Sequence, residues 1–154
     1  MRRIILMTLT MIVATLAAAA QSGLQINQIF GGKYVSDPSV TETIMSGEQR
    51  FLRANYLSNL ATFKGEAKTY APIIQPLVLA DGAQAIGRNV RYKDGKLQYA
   101  FFMLKPVTVD GRKHNRYLYY IYNAKPASPT VMVIYFDGVL SKAQAESFVK
   151  KLSK

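Results

Sequence analysis

A chain of 154 residues with no Cys and no Trp excludes disulfides, dithiol redox chemistry and thiolate metal sites. Its 20 Lys and Arg stand against 9 Asp and Glu, a net charge of +11. That favours solubility and anionic partners and says nothing of fold.

The first twenty residues do not read as part of a domain. Met1-Arg2-Arg3 is basic, Ile4–Leu16 is apolar apart from threonine, and Ala17–Ala20 supplies small residues. The pattern predicts a secretory signal peptide over 1–20, cleaved after Ala20. The alternative is an uncleaved anchor, but the apolar run is short for a span of about 20 residues. No stable transmembrane anchor is therefore expected after cleavage, and no Cys follows to carry a lipid. The mature chain, 21–154, keeps 18 basic and 9 acidic residues, a net +9. It is long enough for one α+β domain to bury a core without staples. The periplasm or the extracellular space is the expected location. The expected partners are an anionic envelope component or another envelope protein; nucleic acid is not expected.

Within 21–154, Ser22–Tyr34 places Ile26, Ile29 and Phe30 at helical spacing and predicts a short helical turn ended by Gly31-Gly32. Val35–Ser39 is loop. Val40–Ser46 alternates as a strand, and Glu48–Tyr56 has the spacing of a two-turn helix. Leu57–Phe63 is a weaker strand, interrupted by Asn59 and Ala61. Glu66–Ala80 spaces Tyr70, Ile73, Ile74, Leu77 and Val78 as a helix, but Pro72 and Pro76 object. A proline in a helix interior costs about 3 kcal/mol, so this helix is expected to be short, kinked or late to begin, with Asp81-Gly82 as its stop.

A meander follows. Asn89–Lys93 and Leu97–Leu104 flank Asp94-Gly95, a dipeptide suited to a two-residue hairpin. Lys105–Asn115 reads as a loop. Arg116–Tyr122 and Val131–Phe136 are the strongest β runs, and Asp137-Gly138 reads as the turn that follows. In the last helix Ser141 is the N-cap and Gln144 closes a capping box. Ala145, Phe148, Val149 and Leu152 form its apolar stripe. These elements predict an α+β fold: an antiparallel sheet of four to six strands with a C-terminal meander, covered on one face by helices including the C-terminal helix.

Catalytic signatures are sparse. Of five Asp, four precede Gly (Asp81, Asp94, Asp110, Asp137) and read as turn formers. The four Glu are scattered, and nothing pairs two acids as glycoside hydrolysis requires. His114, the only histidine, lies in a basic stretch with no Gly-x-Ser-x-Gly elbow elsewhere. No P-loop, zincin or dinucleotide motif occurs. No catalytic residue, metal ligand or cofactor is assigned.

Two features could bind. The cations Arg88, Arg91, Lys93, Lys96, Lys105, Arg112, Lys113 and Arg116 face only Asp94 and Asp110 in their stretch. They could converge on an anion, or simply guard an exposed strand from pairing with other chains. Tyrosines crowd the sheet, and a face left open by the helices would show their rings beside cations, though tyrosine also suits a half-wet strand. The candidate binding residues are Arg88, Arg91, Lys93, Lys96, Arg112, Lys113, Arg116, Tyr117 and Tyr119.

Ile29-Phe30-Gly31, Thr41-Glu42-Thr43, Asn115-Arg116-Tyr117-Leu118-Tyr119-Tyr120 and Val133-Ile134-Tyr135-Phe136-Asp137-Gly138, together with the signal peptide, resemble a family of small exported proteins of unknown function from Bacteroidetes-type bacteria. The resemblance implies an envelope location and no functional residues. The leading expectation is a non-enzymatic binding or interaction module. The alternatives are a small hydrolase with an unrecognised site, or a structural subunit that assembles through the tyrosine face.

Overall fold

The computed structural model describes residues 21–125 and 127–153; the expected signal peptide lies outside them. Six strands form one antiparallel sheet: β1 (Thr41–Ser46), β2 (Leu57–Glu66), β3 (Gly87–Lys93), β4 (Lys96–Val109), β5 (Arg112–Asn123) and β6 (Thr130–Gly138). Their spatial order is β1-β2-β6-β5-β4-β3. β3 to β6 are the expected meander. β2 then lies on the far side of β6, and β1 on the far side of β2.

Local chemistry explains most boundaries. Asp94-Gly95 and Asp110-Gly111 both take positive φ (52° and 73°, 49° and 74°), the backbone that a tight hairpin matching strand twist needs. The expected loop over 105–115 is mostly strand instead. β4 runs on to Val109 and β5 starts at Arg112, with the register slipping between Leu104 and Val107. Pro106 sits in that irregularity, where a residue without an N–H does least harm to the ladder.

Among the described residues three α-helices pack on the sheet: α1 (Arg50–Ala54), α2 (Ala67–Gly82) and α3 (Lys142–Leu152). A 3-10 turn over Gln25–Ile29 buries Ile26 and Ile29, as their spacing predicts. α3 carries the expected capping box: Gln144 N–H donates to Ser141 Oγ at 3.2 Å, and Ser141 N–H to Gln144 Oε1 at 2.8 Å.

α2 corrects the expectation for its segment. It is an unbroken helix of 16 residues with both prolines inside. Tyr70, Ile74, Val78 and Gly82 recur every four residues on its buried side, while Pro72 and Pro76 share the exposed side. The carbonyls that lose a partner therefore face water, which satisfies them.

Helices lie on both faces of the sheet, one more layer than the sequence reading supplied. α3 and α1 cover one face, burying Phe101, Tyr117, Tyr119, Ile134, Phe136 and Phe148. α2 and the 3-10 turn cover the other, over Phe63, Phe102, Leu118, Tyr120, Val133 and Tyr135.

Candidate functional site

Asp137 does not turn the chain. It is the eighth residue of β6, fully buried on the α2 side of the sheet. Gly138 is also in the strand and also buried. A Cβ there would stand 2.2 Å from the Tyr56 carbonyl oxygen, so Gly138 lets the backbone before β2 approach β6.

Three side chains converge on Asp137. Asn59 Nδ2, from β2, donates to Oδ1 at 2.9 Å and lies 3.1 Å from Oδ2. Tyr135 Oη donates to Oδ2 at 2.8 Å. His114 Nδ1, from β5, lies 2.9 Å from Oδ1; facing a carboxylate, that nitrogen carries the proton. Burial, then the Asp137 charge, pushes the Tyr135 hydroxyl well above its ordinary pKa. The cluster thus ties three neighbouring strands, β2, β6 and β5, at one end of the sheet. His114, read as a loop residue in a basic stretch, is a buried strand residue with a carboxylate partner. Asn59, which weakened the reading of β2, is the residue that answers Asp137.

Beside this cluster, and on the same face, lies a cleft of about 460 Å³. Gly23, Leu24 and Gln25 form one wall, Pro76, Leu77, Ala80 and Asp81 of α2 another, and Leu104, Lys105 and Arg116 the floor. Arg116 stands opposite Asp137 in the strand register. Its Nε donates to the Lys105 carbonyl at 2.7 Å, which orients the guanidinium. Asp81 is also not a turn former. Its two carboxylate oxygens accept the Gln25 and Ile26 backbone N–H groups at 2.7 and 2.8 Å, clamping the 3-10 turn onto α2. Burial pushes its carboxyl up, against those two N–H groups and the Arg116 charge. Asp94 and Asp110 do form turns, as expected.

The candidate binding residues do not gather in one place. Lys93 and Lys96 pair at the β3–β4 turn, and Arg112 and Lys113 lie at the β4–β5 turn. These are opposite ends of the 14-residue β4, roughly 40 Å apart at strand rise. Arg88 donates to the Ala85 carbonyl at 3.4 Å, and Arg91 lies over the Tyr99 ring at 4.4 Å, all along edge strand β3. Tyr117 and Tyr119 are core residues, 0% and 2% exposed, with Tyr117 Oη donating to the Leu140 carbonyl at 3.0 Å. The expected open tyrosine face is closed because each side of the sheet has its own helix. Of the nine, only Arg116 lines the cleft.

The sequence reading missed Asn59, Asp81 and Asp137 as site residues, and left Lys105, named in the cation cluster, out of the candidate binding residues. A polar residue inside a strand that pairs on both sides was the available signal for Asn59. Among the described residues no three His, Asp or Glu side chains gather closely enough to hold a metal ion.

Comparison with known proteins adds one relationship. A model for a family of unknown function (DUF6108) matches residues 13–149. The chain belongs to this family. The match takes in the cleft, the Asp137 cluster and eight of the 11 residues of α3. No curated protein and no solved structure matches the chain.

Proposed function

We propose that this family member is an exported envelope protein, located in the periplasm or outside the cell, that binds a small amphiphilic anion in the cleft at Arg116. The observation that carries this reading is the arginine itself: a guanidinium already oriented by the Lys105 carbonyl at 2.7 Å, on the floor of a cleft beside apolar Leu104 and between walls that carry Leu24 and Leu77. An oriented guanidinium forfeits less freedom on gripping a carboxylate or phosphate than a free one does. Lys105 adds a second cation. The nearby acid, Asp81, accepts two backbone N–H groups and also feels the Arg116 charge. A short acyl or peptide body would lie along the apolar walls, with its anionic head at Arg116.

Titration of the labelled protein with octanoate and octyl phosphate, followed by amide chemical shifts, tests this. Both should move Leu24, Leu77 and Leu104, octanol should not, and Arg116→Gln should weaken binding at least tenfold. Equal binding of octanol, or no change in Arg116→Gln, overturns the reading. Retention on heparin-type resin that survives Arg116→Gln would place anion binding on the β3 edge instead.

The buried His114–Asp137 pair favours a second reading, a small hydrolase. Ester turnover lost in His114→Asn, with the fold intact, would support it. The three partners already on Asp137 fit a structural tie.

A further inference from the structure

We infer that the protein docks on an anionic lipid surface through the end of the sheet where β2 begins and β6 stops, with Tyr56, Phe51 and Val139 entering the headgroup layer. None of the three lines the cleft. Tyr56 is the residue that points there. It follows Asn55, the C-cap of α1, and takes a φ of 60°. Glycine adopts that left-handed backbone freely and Asn tolerates it, whereas a bulky side chain makes it strained. The chain holds Tyr56 in place from both sides. Its N–H donates to the Arg53 carbonyl at 3.2 Å, and its carbonyl accepts the Val139 N–H at 3.1 Å. Yet the side chain is 53% exposed, so packing gives little to offset the strain. What the ring does lies outside the fold.

Its neighbours indicate the partner. Val139, bonded to Tyr56 through the backbone, and Phe51 of α1 are also exposed. Exposed Arg50 and Arg53 lie beside Phe51 in α1, and exposed Lys142 opens α3 at the same end. Arg112 and Lys113, exposed as well, lie beyond the last β5–β6 pair, Asn115 with Gly138. The acids placed with them are Glu48, 4.0 Å from Arg53, and Asp110 in the hairpin turn, so this end is net positive. Aromatic rings suit the boundary between hydrocarbon and headgroups, where a tyrosine ring is buried and its hydroxyl stays wet. Each Lys or Arg close to an anionic leaflet strengthens binding about fivefold. A fluid bilayer moulds to side chains spread over α1, β6, α3 and a hairpin tip, where a protein partner would need a matching relief.

The test is co-sedimentation of the protein, as recovered from the envelope of its host, with two kinds of vesicle: equal parts phosphatidylglycerol and phosphatidylcholine, and phosphatidylcholine alone. The anionic vesicles should bind about tenfold more tightly or better, and added salt should weaken them. Tyr56→Gly should lower that affinity about fivefold while its urea midpoint stays at or above wild type, because glycine relieves the strain. Val139→Ser should also weaken binding, and Tyr56→Phe should keep it. Equal binding of both vesicles, or binding unmoved by Tyr56→Gly and Val139→Ser, overturns the inference. A lower urea midpoint in Tyr56→Gly overturns it too, by making the ring part of the fold. Vesicle binding lost in Arg116→Gln but kept in Tyr56→Gly moves the lipid contact to the cleft and overturns it. If neither vesicle binds and Tyr56→Gly instead sheds a co-purifying protein, the surface is a protein interface and the lipid assignment falls.

Discussion

The two faces of the sheet are held by different means. Under α3 the buried residues are aliphatic or aromatic. Tyr117 stacks between Phe101 and Phe136 with ring centroids 5.9 and 5.2 Å away, and Phe148 closes edge-on over Phe136 at 5.1 Å. Under α2 acids are at work. Asp37 accepts the Tyr70 hydroxyl, Glu42 the Gly31 and Gly32 N–H groups, Asp81 the 3-10 turn, and Asp137 three side chains from three strands. One face adheres through area removed from water, which is non-directional. The other is fastened at points, and between the fastenings it leaves the cleft. A face secured at points can hold a cavity open; a face secured by area closes on itself.

Substitutions can break or sharpen this contrast. The largest effect is expected on the dry face. Phe148→Asp loses the packing of a buried aromatic, worth about 3–5 kcal/mol, and adds a buried charge, so the domain should unfold; a far-UV CD melt like that of wild type would refute the placement. On the fastened face, Asp137→Ala strands three buried polar groups and should cost about 3 kcal/mol or more in urea unfolding. Asp137→Asn keeps an acceptor and should cost less. If the two variants unfold alike, the cluster is filler and the contrast weakens. Asp81→Ala should act locally: amide exchange at 25–29 should quicken, with about 1–2 kcal/mol lost from two abandoned N–H groups. Ser141→Ala removes half of the capping box on α3 and should cost about 1 kcal/mol.

The smallest expected effect is a slope with pH. Burial pushes the Glu42 carboxyl up, against the Gly31 and Gly32 N–H groups, and Asp81 shifts the same way. A carboxylate whose folded pKa is raised binds more protons folded than unfolded. Stability therefore falls as pH rises from the ordinary carboxylate value, about 4, through the raised one. Asp37 runs the other way. The Tyr70 hydroxyl, followed by Ser39, holds its carboxyl low, so its contribution is lost as pH falls through that lowered value. Glu42→Gln should flatten the decline on the mildly acidic side in urea midpoints taken across that range. A slope unchanged by the substitution would remove Glu42 as its source.

What could be read from the sequence follows the same division. α3 was legible down to its cap, because a capping box and an apolar stripe are local patterns and the face it covers is uniform. The hairpin at Asp94-Gly95 was legible for the same reason; at Asp110-Gly111 the turn was legible but not the strands that flank it. Asp137-Gly138 has the same two letters and the opposite role. Whether Asp-Gly bends or stays extended is decided by Asn59 and His114, 78 and 23 residues away, and no local pattern contains them. α2 was misjudged because the cost of its prolines is local, whereas the compensation comes from Tyr70, Ile74 and Val78 seated on a sheet built largely from later residues. Arg116 and Lys105 stood among eight cations, but nothing in their spacing separated these two, which line the cleft, from the others.

The strand order has a consequence for how the chain assembles. β2 is complete by residue 66, yet its neighbour β6 spans Thr130–Gly138. Until the final fifth of the chain is available, the first half can form only the β1–β2 hairpin, and the Asp137 tie is missing its hub. Contacts this distant in sequence form slowly. A polypeptide threaded through a membrane from its first residue would stay unfolded for most of its passage, and the sheet would close only when its last strand arrived.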